Sequence, residues 1–215
     1  MLKAIIFDMN GVIINDEHYH NESWNEFLEK YGFTLTIEEF ETQIMGKRDK
    51  DTLQYLFKRS LSPEEITMYC NERDAIVQKL VEGKLQLTSG LREFLESVQQ
   101  AHIPLAIATS SRKEYMDFIV DTYDIRKYFQ FIVTGDEVVH GKPDPEIYLK
   151  AANLLGVEPT DCLVFEDSAS GIKAAKAAGM KVVGITTSLS REELSSVDKI
   201  INDFTEVSIE ELKQL

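Results

Sequence analysis

The feature that most constrains how this chain can fold is a series of short, unbroken apolar runs, each closed by polar residues. They are Ala4-Ile5-Ile6-Phe7, Leu105-Ala106-Ile107-Ala108, Phe131-Ile132-Val133, Leu163-Val164-Phe165 and Val182-Val183-Gly184-Ile185. None alternates apolar with polar, so none reads as a strand with one wet face; continuous runs of this length are what strands buried on both faces look like. After Gly83 the runs alternate with helical stretches, one starting near Asp144-Pro145 and an Ala-rich one running from about Ser168 to Ala178 and closed by Gly179. Strand and helix in alternation predict an α/β protein with a doubly wound parallel sheet.

Between the first run and the rest, from about Glu17 to Glu82, every strong pattern is helical. Trp24, Phe27, Leu28 and Tyr31 form one stripe, Ile37, Phe40 and Ile44 a second, and Leu53, Leu56 and Phe57 a third. Ser62-Pro63-Glu64-Glu65 then reads as a capping box with proline at the first helical position, opening a helix that buries Ile66, Tyr69, Cys70, Val77 and Leu80. An all-helical cap inserted after the first strand is therefore expected, with residues 1–15 and 84–215 forming the core domain and residues 16–83 the cap.

Composition narrows the partners. With 43% hydrophobic residues in 215 the chain can bury a real core, and 37 acidic against 23 basic residues leave a formal charge of -14. That field repels nucleic-acid phosphates and acidic membranes. Cys70 and Cys162 are far apart with no metal-ligand spacing and read as reduced; the apolar start that Asp8 ends is too short for a signal peptide, and no run approaches a membrane span. A cytoplasmic monomer acting on a small molecule is the expectation.

In a parallel sheet all strands deliver their C-terminal ends to one edge, where ligands bind. The residues there are Asp8-Met9-Asn10-Gly11, Thr109-Ser110-Ser111, Thr134-Gly135-Asp136 and Glu166-Asp167-Ser168. Polar residues follow strands in most loops, so any one cluster carries little weight. Three carboxylates crowding one edge of an acidic protein, Asp8, Glu166 and Asp167, are another matter: they repel unless a hard cation neutralises them, and Mg²⁺ suits carboxylates plus a substrate phosphate. Phosphoryl transfer also needs donors for the phosphoryl oxygens, which Thr109 and Lys142 can supply, and a nucleophile, for which Asp8 is the candidate. Lys142 sits in Gly141-Lys142-Pro143-Asp144-Pro145, where the following proline holds it extended.

Taken in order, Asp8-Met9-Asn10-Gly11-Val12, Thr109, Lys142 before Pro143, and Glu166-Asp167-Ser168 resemble the four motifs of the haloacid dehalogenase-like superfamily. The resemblance spans the chain, and the placement of the cap is similar to that of β-phosphoglucomutases and small sugar-phosphate phosphatases. It implies a Rossmann-like core, an Asp8 that becomes an aspartyl-phosphate, and Thr109 and Lys142 gripping the phosphoryl oxygens. It further implies Mg²⁺ held by Asp8, Asp167 and the Asn10 main-chain carbonyl, with Glu166 nearby or ligating, and Gly11 and Ser110 lining the phosphate site.

The family's second carboxylate of the first motif is a general acid and base, and here that position is Asn10. A carboxamide cannot exchange a proton in that role, so the chain as written should be impaired while keeping its fold. Either the asparagine was introduced to trap a complex or the protein natively binds without turnover; the intact remainder favours the first.

In the cap, His18 reads as a surface or packing residue. His20, with Trp24 one turn on, resembles a feature of mutase-like caps, and Trp24 itself reads as core. The Gly46-Lys47-Arg48-Asp49 loop is balanced between a solvated charge cluster and substrate binding, with Lys47 and Arg48 the candidate contacts. Mutases of this family are expected to carry an arginine where Asp49 stands, so a sugar-phosphate phosphatase is the leading reading. β-Phosphoglucomutase is the runner-up, and an inactive phosphate-binding or regulatory protein is the alternative of another class.

Overall fold

The computed structural model describes residues 2–45 and 47–215, with Glu17 described by its backbone alone. The chain separates into two compact units, Met1–Asn15 with Gln86–Leu215, and Asp16–Leu85. In chain order the elements are β1 (Ala4–Phe7), α1 (Glu17–Tyr31), α2 (Ile37–Gln43), α3 (Asp49–Phe57), α4 (Pro63–Val81), α5 (Leu91–Gln100) and β2 (Leu105–Ala108). There follow α6 (Lys113–Thr122), β3 (Phe131–Val133), α7 (Glu146–Leu155), β4 (Cys162–Glu166), α8 (Ala169–Ala177), β5 (Lys181–Ile185), β6 (Lys199–Ile201) and α9 (Ile209–Leu212).

In the first unit the six strands form one sheet in the order β3-β2-β1-β4-β5-β6, every pair parallel. The order reverses direction at β1, so the β1–β4 boundary is the topological switch point, the place where open parallel sheets bind ligands. Register does the rest: Phe7 pairs with Phe165, and the amide of Asp8 donates to the Phe165 carbonyl at 3.0 Å, which puts Asp8 level with Glu166.

The continuous apolar runs are explained by cover on both faces. Ala4, Ile6, Ala106, Ala108, Val164 and Val182 meet Ile147, Tyr148, Ala151 and Ala152 of α7 and Ile172, Ala174 and Ala175 of α8. Alternate residues turn the other way, where Phe7 stacks on Phe165 at 5.0 Å and meets Phe94 of α5, Phe129 and Phe204. Small residues on one face admit close helices, and aromatic rings fill the other. The sixth strand is absent from the sequence reading because Lys199-Ile200-Ile201 is three residues at a sheet edge, paired only with β5.

In the second unit α1 to α4 enclose Trp24, Phe27, Leu28, Leu53, Leu56, Tyr69 and Cys70. The capping box forms as its sequence dictates: the Ser62 hydroxyl accepts from the Glu65 amide and Glu65 accepts from the Ser62 amide. Two expectations need correction. Of the α2 stripe, Ile37 is 80% exposed, whereas Phe40 packs against the core of this unit and Ile44, just past the helix end, is buried in it. On α4, Ile66 and Leu80 are only half-buried, whereas Arg73 and Asp74 are buried on the face read as apolar.

Candidate active site

The edge of the first unit's sheet gathers the residues that follow its strands. Asp8, Glu166 and Asp167 are all buried, and each offers an oxygen such that the three lie within 4.8 Å of one another. Among them sits Lys142, its side chain also buried, with Nζ 2.7 Å from Asp8 Oδ1 and 2.7 Å from Glu166 Oε1 and 4.9 Å above the Tyr148 ring. Burial pushes the Asp8 carboxyl up to about 7, and the neighbouring Glu166 charge adds to this while Lys142 opposes it. Burial works against the Lys142 ammonium too, yet the Asp8 and Glu166 charges outweigh it and raise its pKa, so the lysine stays charged.

Glu166 is held on every side. Its Oε1 accepts from Lys142 and from the Tyr148 hydroxyl at 2.8 Å; its Oε2 accepts from the amides of Asp167 at 2.9 Å and Ser168 at 2.8 Å and from Ser168 Oγ at 3.0 Å. Burial would raise its pKa, but the Lys142 charge and these bonds hold it below the ordinary glutamate value. The first turn of α8 fits against it so closely that a Cβ at Gly171 would lie 1.5 Å from Oε1.

Asn10 Oδ1 accepts from Ser111 Oγ at 2.7 Å and from Thr109 Oγ1 at 3.4 Å, which draws the loop after β1 to the loop after β2. Thr109 is fully buried, and Ser110 beside it is half-buried. Gly11 takes a φ of +74° and donates its amide to the Ile14 carbonyl at 2.7 Å. Only glycine fits there, because a Cβ would lie 1.8 Å from Asp167 Oδ2. The structure therefore brings Asp8, Asn10, Gly11, Thr109, Lys142, Glu166 and Asp167 together.

Four neighbours escaped the sequence reading in that role. Ser111, named among the residues after β2 but given no role, lies three residues past that strand. Tyr148 is inside α7, where an aromatic residue reads as core. Thr187 and Ser188 follow β5, and extending the strand-end rule to that fifth strand is the signal that finds them: Ser188 Oγ donates to Asp167 Oδ2 and Thr187 Oγ1 donates to the Gly11 carbonyl at 2.6 Å.

The cap candidates lie in the second unit. His20 Nδ1 is 3.1 Å from Arg73 Nη1 and Nε2 is 3.0 Å from Asp16 Oδ2. Arginine only donates, so Nδ1 accepts and the proton shared with Asp16 sits on Nε2. Arg73 also donates to Asp49 Oδ2 through Nε at 3.1 Å and Nη2 at 2.9 Å, reaches Ser23 Oγ at 3.3 Å, and stacks 4.9 Å from the Trp24 ring. Arg48 is buried and donates to both oxygens of Asp51, at 2.6 and 2.9 Å, and Lys47 is half-buried. Gly46, the first residue of that loop, lies outside the described residues. His18 packs against Tyr19, with ring centroids 3.7 Å apart and the planes tilted by 42°.

A parallel sheet that gathers a carboxylate, a hydroxyl, a lysine and an acidic pair at one edge has the parts that phosphoryl transfer requires. Residues 5–185 match the sequence profile described as haloacid dehalogenase-like hydrolase, and the chain belongs to that family. It is similar to a validoxylamine A 7'-phosphate phosphatase of Streptomyces hygroscopicus subsp. limoneus, 32% identical over 96% of each chain. It is also similar to a phosphorylated carbohydrates phosphatase of Thermotoga maritima, 35% identical over 88% of each. Among solved structures, a family IA, variant 3 hydrolase from Entamoeba histolytica superimposes with a TM-score of 0.85 at 31% identity, covering 99% of this chain and 98% of that one. No helix among the described residues is long and apolar enough to cross a membrane.

Proposed function

We propose that this chain is a phosphatase fold for small phosphorylated carbohydrates and related metabolites, acting through a phosphoryl group carried on Asp8. The observation that carries the reading is the contact of Asp8 with Lys142 inside the Asp8, Glu166, Asp167 cluster. In the first half-reaction an Asp8 carboxylate oxygen forms a bond to phosphorus, the ester P–O bond breaks, and the sugar oxygen leaves with a proton. In the second, water attacks phosphorus, loses a proton, and frees Asp8 and inorganic phosphate. Lys142 and Thr109 stabilise charge on the phosphoryl oxygens, and Glu166 holds Lys142 in place.

The donor set fits a hard divalent cation: three buried carboxylates converge, and the ligand atom each offers is oxygen, with the Lys142 ammonium set between Asp8 and Glu166. Asp8 and Asp167, with Glu166 beside them, would hold Mg²⁺, and the bound ion would supply positive charge for the phosphoryl oxygens.

Asn10 lacks an ionisable proton, so transfer to and from the sugar oxygen is impaired in this chain. Restoring the carboxylate with Asn10→Asp is expected to raise Mg²⁺-dependent phosphate release from sugar monophosphates by about 10²-fold or more; unchanged turnover would remove position 10 from the mechanism. The relatives named as phosphatases support hydrolysis over mutase chemistry. Asp49, which stands where a mutase arginine is expected, pairs with Arg73 within its own unit, so its charge does not act on a second phosphate.

A further inference from the structure

We propose that Thr187 and Ser188, the hydroxyl residues after β5, are positioning residues that set how tightly Asp167 takes up a divalent cation. The inference rests on the metal reading above. Asp167 is 3% exposed and its Oδ2 meets two hydroxyls: it accepts a hydrogen bond from Ser188 Oγ, and Thr187 Oγ1 lies 3.4 Å away. A threonine hydroxyl has one proton, and the 2.6 Å contact to the Gly11 carbonyl takes it. Thr187 thereby ties the loop after β5 to the loop after β1.

The Asp167 carboxylate lies between these loops, with the Gly11 backbone packed on Oδ2 as closely as an absent Cβ allows. Backbone on one side and hydroxyls on the other fix its rotation about the Cβ–Cγ bond. The Ser188 bond also draws charge from Oδ2, which eases repulsion from Asp8 and Glu166 when no cation is present. A ligand whose orientation is set in advance loses less freedom on binding, and removal of such outer partners weakens metal affinity by about 10–100-fold. The positions are suited to this, since β5 is hydrogen-bonded to β4, the strand that Asp167 directly follows.

The test is Mn²⁺ binding to the metal-free protein, read by the electron paramagnetic resonance signal of the free ion. Thr187→Val with Ser188→Ala keeps side-chain volume while removing both hydroxyls, and is expected to weaken Mn²⁺ binding by about 10–100-fold. Thr187→Ser restores the hydroxyl and is expected to bind like the starting protein, a rescue that a purely structural role for the threonine methyl would not give. Asp167→Ala serves as the reference for lost binding. If that variant loses Mn²⁺ while the double variant binds as tightly as the parent, the positioning role is overturned and the metal site stands. If the parent itself takes up no Mn²⁺, both fall together. Should the double variant fail to fold by circular dichroism, Thr187→Val and Ser188→Ala measured singly decide between the same outcomes.

Discussion

Each unit of this protein buries a cluster of charges, and the two clusters are built on opposite plans. In the helical unit Arg73 spreads its donors over Asp49, His20 and Ser23 and lays its guanidinium on Trp24. Each guanidinium nitrogen of Arg73 meets an acceptor inside the same unit. In the sheet unit three carboxylates converge within 4.8 Å, the Lys142 ammonium stands between Asp8 and Glu166, and burial lifts Asp8 to about 7. That cluster carries a surplus of negative charge aimed at one point. A matched buried network serves the fold; a convergent, unbalanced one is arranged for a ligand.

The contrast can be broken most directly at its two cations. Arg73→Ala leaves Asp49 without its partner and is expected to cost about 3–5 kcal/mol in denaturant unfolding. Arg73→Met with Asp49→Leu removes the pair together and is expected to recover most of that loss. A double variant no more stable than the single one would mean the network is not self-contained. Lys142→Ala strands two carboxylates in the same way. Made in the Asn10→Asp background, it should in addition lower phosphate release by about 10²–10³-fold, the scale set by one lost donor to a reacting group.

The raised Asp8 pKa predicts a pH signature. Its folded value of about 7 lies above the ordinary 3.8, so between these the folded state holds the proton more tightly than the unfolded chain. The contribution of Asp8 to stability is full below about pH 4, falls as pH rises, and is gone above about pH 7. The melting temperature of the metal-free protein minus that of Asp8→Asn should therefore decline across that window; a flat difference would place Asp8 in a more solvated setting than its burial indicates. Asp167→Ala sharpens the same point at smaller amplitude. Removing one of three like charges should leave metal-free stability unchanged or slightly higher, whereas a marked loss would give Asp167 a structural role at the start of α8.

The smallest effect is expected at Arg48, where Asp51 is 39% exposed and the pair is worth about 0.2–1 kcal/mol. With its guanidinium engaged by Asp51, Arg48→Ala should leave KM and kcat of the Asn10→Asp protein nearly unchanged. A raised KM at constant kcat would return Arg48 to the substrate-binding role its sequence position suggested.

What could be read in advance follows from how each residue is coupled to its neighbours in the chain. The apolar runs that became β1 to β5, the Ser62–Glu65 capping box and the polar residues ending each strand are local patterns, and a strand end tells where its side chains go once the sheet is parallel. Asp8, Asn10, Thr109, Glu166 and Asp167 were legible for that reason, and Lys142 from the proline that follows it. The three-residue edge strand β6 was not, since too few residues carry its period.

The amino-acid sequence by itself determined the alternating α/β order and the set of polar residues delivered to one sheet edge, because periodicity and strand polarity are properties of neighbours along the chain. Only the tertiary structure decided which of them meet. Arg73 lies on a face that periodicity read as apolar and pairs with Asp49, 24 residues away. Tyr148 closes on Glu166, and Thr187 on Gly11 across 176 residues. Contacts of this kind depend on which helix covers which strand and at what register, and no local pattern encodes the partner of a hydrogen bond that the folded chain alone brings within reach.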